Sequence, residues 1–186
     1  MSGMVYLFLA DGFEEIEALT PVDLLRRAKI DVKTVGIGQK NVMGAHNIPV
    51  VADMTCDEMQ ADFEGIILPG GLPGTTNLEA DPTVQKALCV AAENGKMIAA
   101  ICAAPSILGH CGLLRGKQAV CYPGFEQELL GAEIVQTPVV CDGNMITAKA
   151  AGAAIEFALE IIRYLRDDAA AQQIACAIHY EGGQAQ

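Results

Sequence analysis

The chain has 186 residues, of which 52% are hydrophobic and 19% are charged. This length and composition predict one folded domain, residues 1–186, with a core that needs neither disulfides nor metals to be stable. Twelve basic residues against 23 acidic ones leave a formal net charge of −11. Such a charge excludes nucleic acid and anionic membranes as expected partners, because both are bound chiefly through Lys and Arg.

Cysteine usage predicts a reducing cellular compartment. The seven cysteines are an odd number and show no CxxC spacing, whereas disulfide-bonded secreted chains favour an even set. Most lie in apolar stretches, so we expect buried free thiols and a cytoplasmic protein. The first ten residues contain a short apolar run without a basic leader, which is too short for a signal peptide or a membrane span.

Apolar strand-like runs alternate with helical patterns, which predicts an α/β fold with a mostly parallel sheet covered on both faces. In chain order, the predicted strands are residues 5–10, 31–38, 48–51, 65–68, 96–101 and 116–122, followed by a hairpin over 139–148 that turns at 142–144. The predicted helices are residues 15–28, 81–94, 103–110, 151–165 and 169–179. In the first helix, Ile16, Leu19, Val22 and Arg26 follow a rough three-to-four spacing that predicts its inner face.

A cysteine stands where the predicted strand 96–101 gives way to a helix. Small residues, Ala100 and Ala104, lie two positions before and after Cys102, as a nucleophile elbow needs because its sharp turn crowds neighbouring side chains. Pro105 suits the first turn of the following helix. The positive end of that helix favours a thiolate, so we expect the pKa of Cys102 to lie below its usual value of roughly 8.5. The alternative is that Cys102 is one more buried small hydrophobe, like the other six cysteines.

Three glutamates follow the first predicted strand, within residues 11–17 (DGFEEIE). Sites in open α/β sheets form beyond the carboxyl ends of strands, so one of these glutamates can approach Cys102. Glu17 is the better candidate for this contact, because it lies one helical turn after residues 13–14. Glu15 lies on the polar face of the predicted helix. Partial burial would raise its pKa and let it donate a hydrogen bond to the thiolate or shuttle a proton. Without the elbow, these glutamates would be solvated residues of a first helical turn.

A glycine-rich turn, LPGGLPG at residues 68–74, follows the third core strand. Its glycines let the backbone approach a ligand and offer N–H groups to an anion. The spacing fits neither the dinucleotide nor the P-loop fingerprint, so no nucleotide cofactor is expected. The better interpretation is an oxyanion hole that pairs the N–H of Gly71 with that of Ala103, with Gly70 beside them. A plain turn is the alternative.

The histidines argue against metal chemistry. His46, His110 and His179 lie in a predicted loop, at a helix end and in the last helix. None follows Cys102 directly, and none is spaced with Asp, Glu or Cys as metal ligands are. We therefore expect neither a metal site nor any other cofactor.

Residues 10–17 (ADGFEEIE), 68–71 (LPGG) and 99–103 (AAICA) together resemble the ThiJ/PfpI superfamily, in the branch of the Parkinson-disease-associated protein and its bacterial relatives. The resemblance spans nearly the whole chain. It implies a flavodoxin-like three-layer α/β/α sandwich with a mostly parallel central sheet, and a homodimer. It also casts Cys102 as nucleophile or oxidation site, Glu17 as the acid that contacts it, and the Gly71 and Ala103 amides as anion donors.

The chain departs from the superfamily pattern at three positions. Peptidase-like members have His directly after the cysteine, where this chain has Ala103, so the resemblance argues against a peptidase. The related branch often has His at the position of Tyr122, which can donate a hydrogen bond but is a poor base near neutral pH. Glu17 would then carry the proton transfers alone. His46 stands where that branch has an arginine from the neighbouring subunit.

These residues are compatible with functions of different classes. In the leading hypothesis, a cofactor-independent glyoxalase or deglycase acts on a small reactive carbonyl, with Cys102 as nucleophile and Glu17 as proton donor and acceptor. In the second, a redox-sensing stress-response protein carries Cys102 as sulfinic acid stabilised by Glu17. A small-molecule hydrolase or amidase is the third. The sequence does not separate them, because the same two residues serve each.

Overall fold

The computed structural model describes residues 3–182. In chain order its strands are β1 (Val5–Leu9), β2 (Val32–Gly36), β3 (Asn41–Met43), β4 (Pro49–Val51), β5 (Met54–Thr55), β6 (Gly65–Leu68), β7 (Met97–Ile101), β8 (Gln118–Ala119), β9 (Glu133–Ile134), β10 (Val139–Asp142) and β11 (Met145–Ala148). The α-helices are α1 (Glu15–Arg27), α2 (Gly74–Ala80), α3 (Pro82–Glu93), α4 (Pro105–His110), α5 (Ala154–Leu165) and α6 (Asp168–Ala177). Single turns of 3-10 helix span Cys56–Glu58, Glu126–Glu128 and Ala151–Ala153.

Seven strands form the central sheet, in the order β10-β11-β7-β6-β1-β2-β5. Every neighbouring pair is parallel except β10 with β11, which form the predicted antiparallel hairpin at the edge. The inner order β2-β1-β6-β7-β11 is that of a flavodoxin-like sheet, whose direction of winding switches between β1 and β6. The prediction of a mostly parallel flavodoxin-like sandwich is confirmed.

Helices cover the sheet on both faces, each over its own hydrophobic cluster. Leu7 and Leu9 of β1 belong to the cluster beneath α1, α5 and α6. Tyr6 and Phe8 of the same strand belong to the opposite cluster, beneath α2, α3 and α4. Successive side chains of a strand point to opposite faces, so a fully buried run such as VYLFL supplies both cores at once.

The first helix buries Val22 as predicted, but the rest of its inner face differs from the prediction. Ile16 and Leu19, expected inside, are 54% and 38% exposed. Glu15 and Glu17 are buried instead, together with Leu25 further along the helix. Two carboxylates face inward here because each finds hydrogen-bond partners there, and they obscure the apolar periodicity that would otherwise mark the inner face.

Two small sheets lie outside the central one. Predicted strand 48–51 corresponds to β4, which pairs with β3 in an antiparallel hairpin. Predicted strand 116–122 shrinks to β8, which pairs in parallel with β9. Helix α2 was not predicted, because its sequence GTTNLEA is poor in strong helix formers.

All seven cysteines are free thiols, but fewer of them are buried than expected. Only Cys121 is fully buried, while Cys56 and Cys102 are half-buried. Four are exposed, namely Cys89, Cys111, Cys141 and Cys176. The prediction of buried hydrophobic thiols is therefore wrong for these four. Within residues 3–182, no helix combines the length and apolar character needed to cross a bilayer.

Candidate active site

Cys102 directly follows β7 and adopts the backbone conformation of a nucleophile elbow. Its φ angle is 66°, in the left-handed region that residues with a Cβ atom rarely occupy. Its N–H donates to the carbonyl of Ala148 at 2.9 Å, and its own carbonyl accepts from the N–H of Tyr122 at 2.8 Å. The turn is thus held from both sides, and the left-handed backbone conformation places local strain at Cys102 itself.

The helix after the elbow begins later and is shorter than predicted. It starts at Pro105 rather than at residue 103, and it has only 6 residues. Cys102 therefore lies three positions before the first helical residue, and it is not part of a long helix whose dipole acts directly on the sulfur. The two amides that reach the Cys102 thiol belong instead to Ala103 and Gly71.

Glu17 reaches Cys102 from α1, across the carboxyl edge of the sheet. The glutamate is 1% exposed, and its carboxyl group hydrogen-bonds the Cys102 thiol. Its Oε2 accepts the N–H of Gly70 at 2.9 Å. The backbone at Ala151 supplies a further hydrogen bond. Glu17 is thus a buried carboxyl group with several defined partners, one of which is the sulfur.

The glycine turn at residues 70–71 fits between Glu17 and Cys102. A Cβ atom on Gly70 would lie 2.6 Å from Glu17 Oε2 and 2.7 Å from Cys102 Cβ. Gly71 has a φ of +89°, and a Cβ there would lie 2.5 Å from the Glu14 nitrogen. Only residues without a side chain let these three segments approach so closely.

Burial shifts the titration of both groups. It raises the pKa of Glu17 to about 7, against the opposing hydrogen bonds from Cys102 and Gly70. Burial, followed by the negative charge of Glu17, raises the pKa of the Cys102 thiol to about 12, against the amides of Ala103 and Gly71. The prediction of a lowered Cys102 pKa is therefore wrong, because desolvation and a neighbouring carboxylate both disfavour the thiolate.

The two groups titrate as one unit, so these values describe the pair. A first proton leaves near pH 7 and the second near pH 12. Between these values the pair carries a single proton and a single negative charge. With the proton on Glu17, a thiolate faces the amides of Gly71 and Ala103; with the proton on sulfur, the carboxylate faces the amide of Gly70. Because the pKa of Glu17 lies below that of the Cys102 thiol, the main form at neutral pH is the carboxylate beside the neutral thiol, and transfer of the proton across their hydrogen bond gives the thiolate beside the carboxylic acid.

Tyr122 contacts the elbow through its backbone N–H, which donates to the carbonyl of Cys102. Its side chain is 47% exposed. Within residues 3–182, its hydroxyl group makes no hydrogen bond to another side chain or to the backbone. A contact between this hydroxyl and a substrate stays a prediction.

A second cluster lies near the start of α1, and sequence reasoning missed it. The backbone N–H of His46 donates to Glu15 Oε1 at 2.8 Å, and its Nδ1 lies 2.8 Å from Glu15 Oε2 and 3.4 Å from Glu14 Oε2. The hydrogen bond to Glu15 raises the pKa of His46. The spacing of the histidines in the sequence does not indicate this grouping, because the β3–β4 hairpin brings His46 to Glu15 across 31 sequence positions.

This cluster has the donor types of a metal site. One ligand atom from each of Glu14, Glu15 and His46 lies within 4.8 Å of the others. Burial opposes ionisation of Glu15, but the hydrogen bonds from His46 and from the backbone outweigh it, so the pKa of Glu15 is lowered. An ion pair between a protonated His46 and the two carboxylates accounts for the arrangement without a metal.

The chain is similar to known proteins over almost its entire length. Protein dj-1beta of Drosophila melanogaster is 35% identical over 179 residues, covering 94% of this chain and 96% of the relative. A deglycase of Pyrococcus horikoshii is 30% identical, covering 88% of this chain and 100% of the relative. The crystal structure of a mutant of a DJ-1 superfamily protein from Salmonella typhimurium, 40% identical, superposes with a TM-score of 0.91 over 97% of this chain and 100% of that one.

Some relatives are much longer than this chain. The chain spans only 36% of Protein DJ-1 homolog B and 40% of Protein DJ-1 homolog A of Arabidopsis thaliana. The model of the DJ-1/PfpI family matches residues 4–164, which contain the elbow cysteine, the buried glutamate and the glycine turn. The chain belongs to the DJ-1/PfpI family.

Proposed function

We propose that this protein is a cofactor-independent enzyme that uses Cys102 to act on small reactive carbonyl compounds such as methylglyoxal, as a glyoxalase or deglycase. One observation carries the proposal: a thiol at a strained turn is hydrogen-bonded to the buried carboxyl group of Glu17. Nucleophilic attack needs a thiolate, and isomerisation of the adduct needs a nearby acid that becomes a base. The relative named a deglycase supports the same class of substrate.

The first step forms a covalent adduct. The Cys102 thiolate attacks the aldehyde carbon of methylglyoxal, a C–S bond forms, and the carbonyl π electrons move to oxygen. The amides of Gly71 and Ala103, which reach the sulfur, are well placed to stabilise the developing oxyanion. Glu17 then gives its proton to that oxygen, which leaves a hemithioacetal and a carboxylate.

The second stage moves a proton between carbons. The Glu17 carboxylate removes the proton from the carbon bonded to sulfur, and the C–H electrons form a C=C bond while the ketone π electrons move to oxygen, which gives an enediolate. Glu17 returns the proton to the adjacent carbon, and the hydroxyl proton of the sulfur-bearing carbon moves to the former ketone oxygen, which gives the thioester of lactate. Water then attacks the thioester, the C–S bond breaks, and lactate leaves while the thiol recovers its proton. The sum is methylglyoxal plus water to lactic acid, so no redox cofactor is consumed. A carboxyl group whose pKa is about 7 suits both directions of transfer near neutral pH.

The test measures loss of methylglyoxal and formation of lactate. Cys102→Ala and Glu17→Ala should each abolish turnover, because each removes a group that the sequence of steps requires. Glu15→Ala is the matched control, since Glu15 is also a buried glutamate of α1 but contacts His46. Wild-type turnover no faster than that of the two site variants removes the proposal.

A redox-responsive role for the same thiol is the second candidate. The observation that favours it is the set of donors around the sulfur, namely the Gly71 and Ala103 amides and a protonated Glu17, which could hold sulfinate oxygens. Two equivalents of hydrogen peroxide convert the thiolate to the sulfinate and release two waters. Intact mass after mild peroxide should then show a two-oxygen gain, and fragment ions of tryptic peptide 97–115 should place both oxygens on Cys102 rather than on Met97 or Cys111. Its absence counts against this role.

We further propose that the protein is a cytoplasmic homodimer. Ile16 and Leu19 expose apolar side chains on α1, and Met43 and Ile48 do so on or beside the adjacent β3–β4 hairpin. Apolar groups grouped on one surface favour association with a second copy. Light scattering should give twice the monomer mass for the wild type and the monomer mass for Ile16→Asp. Monomeric wild-type protein would contradict the dimer.

A further inference from the structure

A second pair of thiols lies in the other helical layer, away from Cys102. Cys111 directly follows α4, and its Sγ donates to Gln85 Oε1 of α3 at 3.3 Å. The amide of Gln85 is itself fixed, because its Nε2 donates to the carbonyl of Glu79 at 2.8 Å. The Cys111 sulfur is thereby held against one face of α3.

Cys89 lies on that same face of α3. It follows Gln85 by four residues, and side chains at this spacing are neighbours on a helix, with Cβ atoms about 5–6 Å apart. The residue that Cys111 contacts is therefore a helical neighbour of Cys89. Burial, and next the charge of Cys89, raise the pKa of Cys111, which indicates that the two sulfurs lie close together. Both thiols are free and exposed, so solutes can reach them.

The neighbouring histidine fixes this end of α4. His110 Nε2 lies 2.9 Å from Glu128 Oε2, and its Nδ1 pairs with Glu79 at the end of α2. Cys111, the next residue, is therefore positioned by contacts to three separate segments. The backbone around Cys111 is fixed by these contacts, and Cys89 is fixed by its position on α3. Few other thiols can therefore come within bonding distance of either one.

We propose that Cys89 and Cys111 form a redox-active pair that closes a disulfide bond when peroxide oxidises the protein. Both are exposed, and Cys111 contacts Gln85, the residue one helical turn before Cys89 on α3. The pair belongs to the layer of α3 and α4, whereas Glu17 and its helix lie in the opposite layer. It is therefore a modification site separate from the proposed active site.

The reaction balances with hydrogen peroxide as the only oxidant. The Cys89 sulfur, as thiolate, attacks one peroxide oxygen, the O–O bond breaks, and water leaves after protonation, which gives a sulfenic acid. The Cys111 sulfur then attacks the sulfenic sulfur, the S–S bond forms, the S–O bond breaks, and a second water leaves. Two thiols and one peroxide thus give one disulfide and two waters.

Peptide mapping of the Cys102→Ala protein tests the proposal. Trypsin cuts after Lys86, Lys96 and Arg115, so Cys89 and Cys111 fall in separate peptides, 87–96 and 97–115. The Cys102→Ala change removes the other thiol from peptide 97–115 and leaves the proposed pair intact. After mild peroxide, alkylation of free thiols and digestion without reduction, we expect a cross-linked pair of these peptides. The intact monomer should have lost two hydrogen atoms.

Matched variants identify the partners. In the same background, Cys89→Ser and Cys111→Ser should each lose the cross-link, whereas Cys141→Ser, which changes another exposed thiol, should keep it. No cross-linked peptide in the parent protein, or a cross-link found only between two chains, overturns the proposal. Because the parent lacks Cys102, this result is independent of whether the protein acts on carbonyl compounds.

Discussion

Replacing Glu17 with Gln tests whether the carboxyl group and the thiol titrate as one unit. In the wild type the first ionisation of the pair lies near pH 7, because burial raises the pKa of Glu17 to about 7. Alkylation of Cys102 by iodoacetamide should follow this ionisation, since a thiolate forms only after the pair has lost one proton. The pH at which the alkylation rate reaches half its plateau does not depend on how the remaining proton divides between sulfur and oxygen. Only the rate at the plateau depends on that division.

In Glu17→Gln the thiol ionises alone. It no longer faces a carboxylate, so its pKa should fall below the value of about 12 that applies beside ionised Glu17. Burial, the largest cause of the shift, should keep that pKa above that of an ordinary exposed thiol. The alkylation midpoint should therefore rise from near 7 by about two pH units or more, which corresponds to about 3 kcal/mol at least.

The assay follows alkylation of Cys102 by mass spectrometry across the pH range in which the protein stays folded, with fragment ions of tryptic peptide 97–115 separating Cys102 from Cys111 in the same peptide. Glu15→Gln serves as the control, because this glutamate is also buried on α1 and pairs with His46 rather than with Cys102. Its midpoint should remain near that of the wild type. A wild-type midpoint equal to that of the exposed Cys141, or a midpoint unchanged in Glu17→Gln, would refute the shared proton.

Stability should fall as pH rises from 4.5 to about 7, because Glu17 loses its proton near 4.5 in the unfolded chain and near 7 in the folded protein. The free energy of unfolding should fall by about 3 kcal/mol over this range. Urea denaturation should show this fall in the wild type but not in Glu17→Gln, and an equal change of unfolding free energy with pH in both proteins contradicts it. Gly70→Ala should lower stability by about 1–3 kcal/mol and abolish carbonyl turnover, since its methyl group would lie 2.7 Å from Cys102 Cβ. An unchanged melting temperature with full activity would count against this packing. Cys102→Gly should be more stable than Cys102→Ala by about 1–2 kcal/mol, because a φ of 66° strains only residues with a Cβ atom; equal urea midpoints contradict this.

The parts of the fold and site that depend on local sequence were predictable. An apolar run that ends at a cysteine flanked by alanines predicts a sharp turn, and residue 102 has the left-handed backbone that such a turn needs. The same logic applies to the glycine turn, where Gly70 fills a space that admits no side chain. The mostly parallel sheet covered on both faces was also predictable, because apolar strand-like runs alternate with helical patterns along the chain.

The parts that depend on distant contacts were not predictable. The inner face of α1 was misread because Glu15 and Glu17 point inward, and their partners lie 31 and 53 positions further along the chain. The direction of the Cys102 pKa shift was misread for a related reason. Burial and the nearby carboxylate outweigh the backbone amides, and sequence spacing reports neither the depth of a sulfur nor its distance from a charge.

The two backbone hydrogen bonds at Cys102 do not involve its side chain. Ala148 accepts its N–H and Tyr122 donates to its carbonyl, so the turn should keep its shape whatever side chain occupies the position. A serine or a selenocysteine placed there would project from the same backbone toward the same neighbours. Comparing such replacements would therefore isolate the chemistry of the attacking atom from the geometry that presents it, which few nucleophile positions permit.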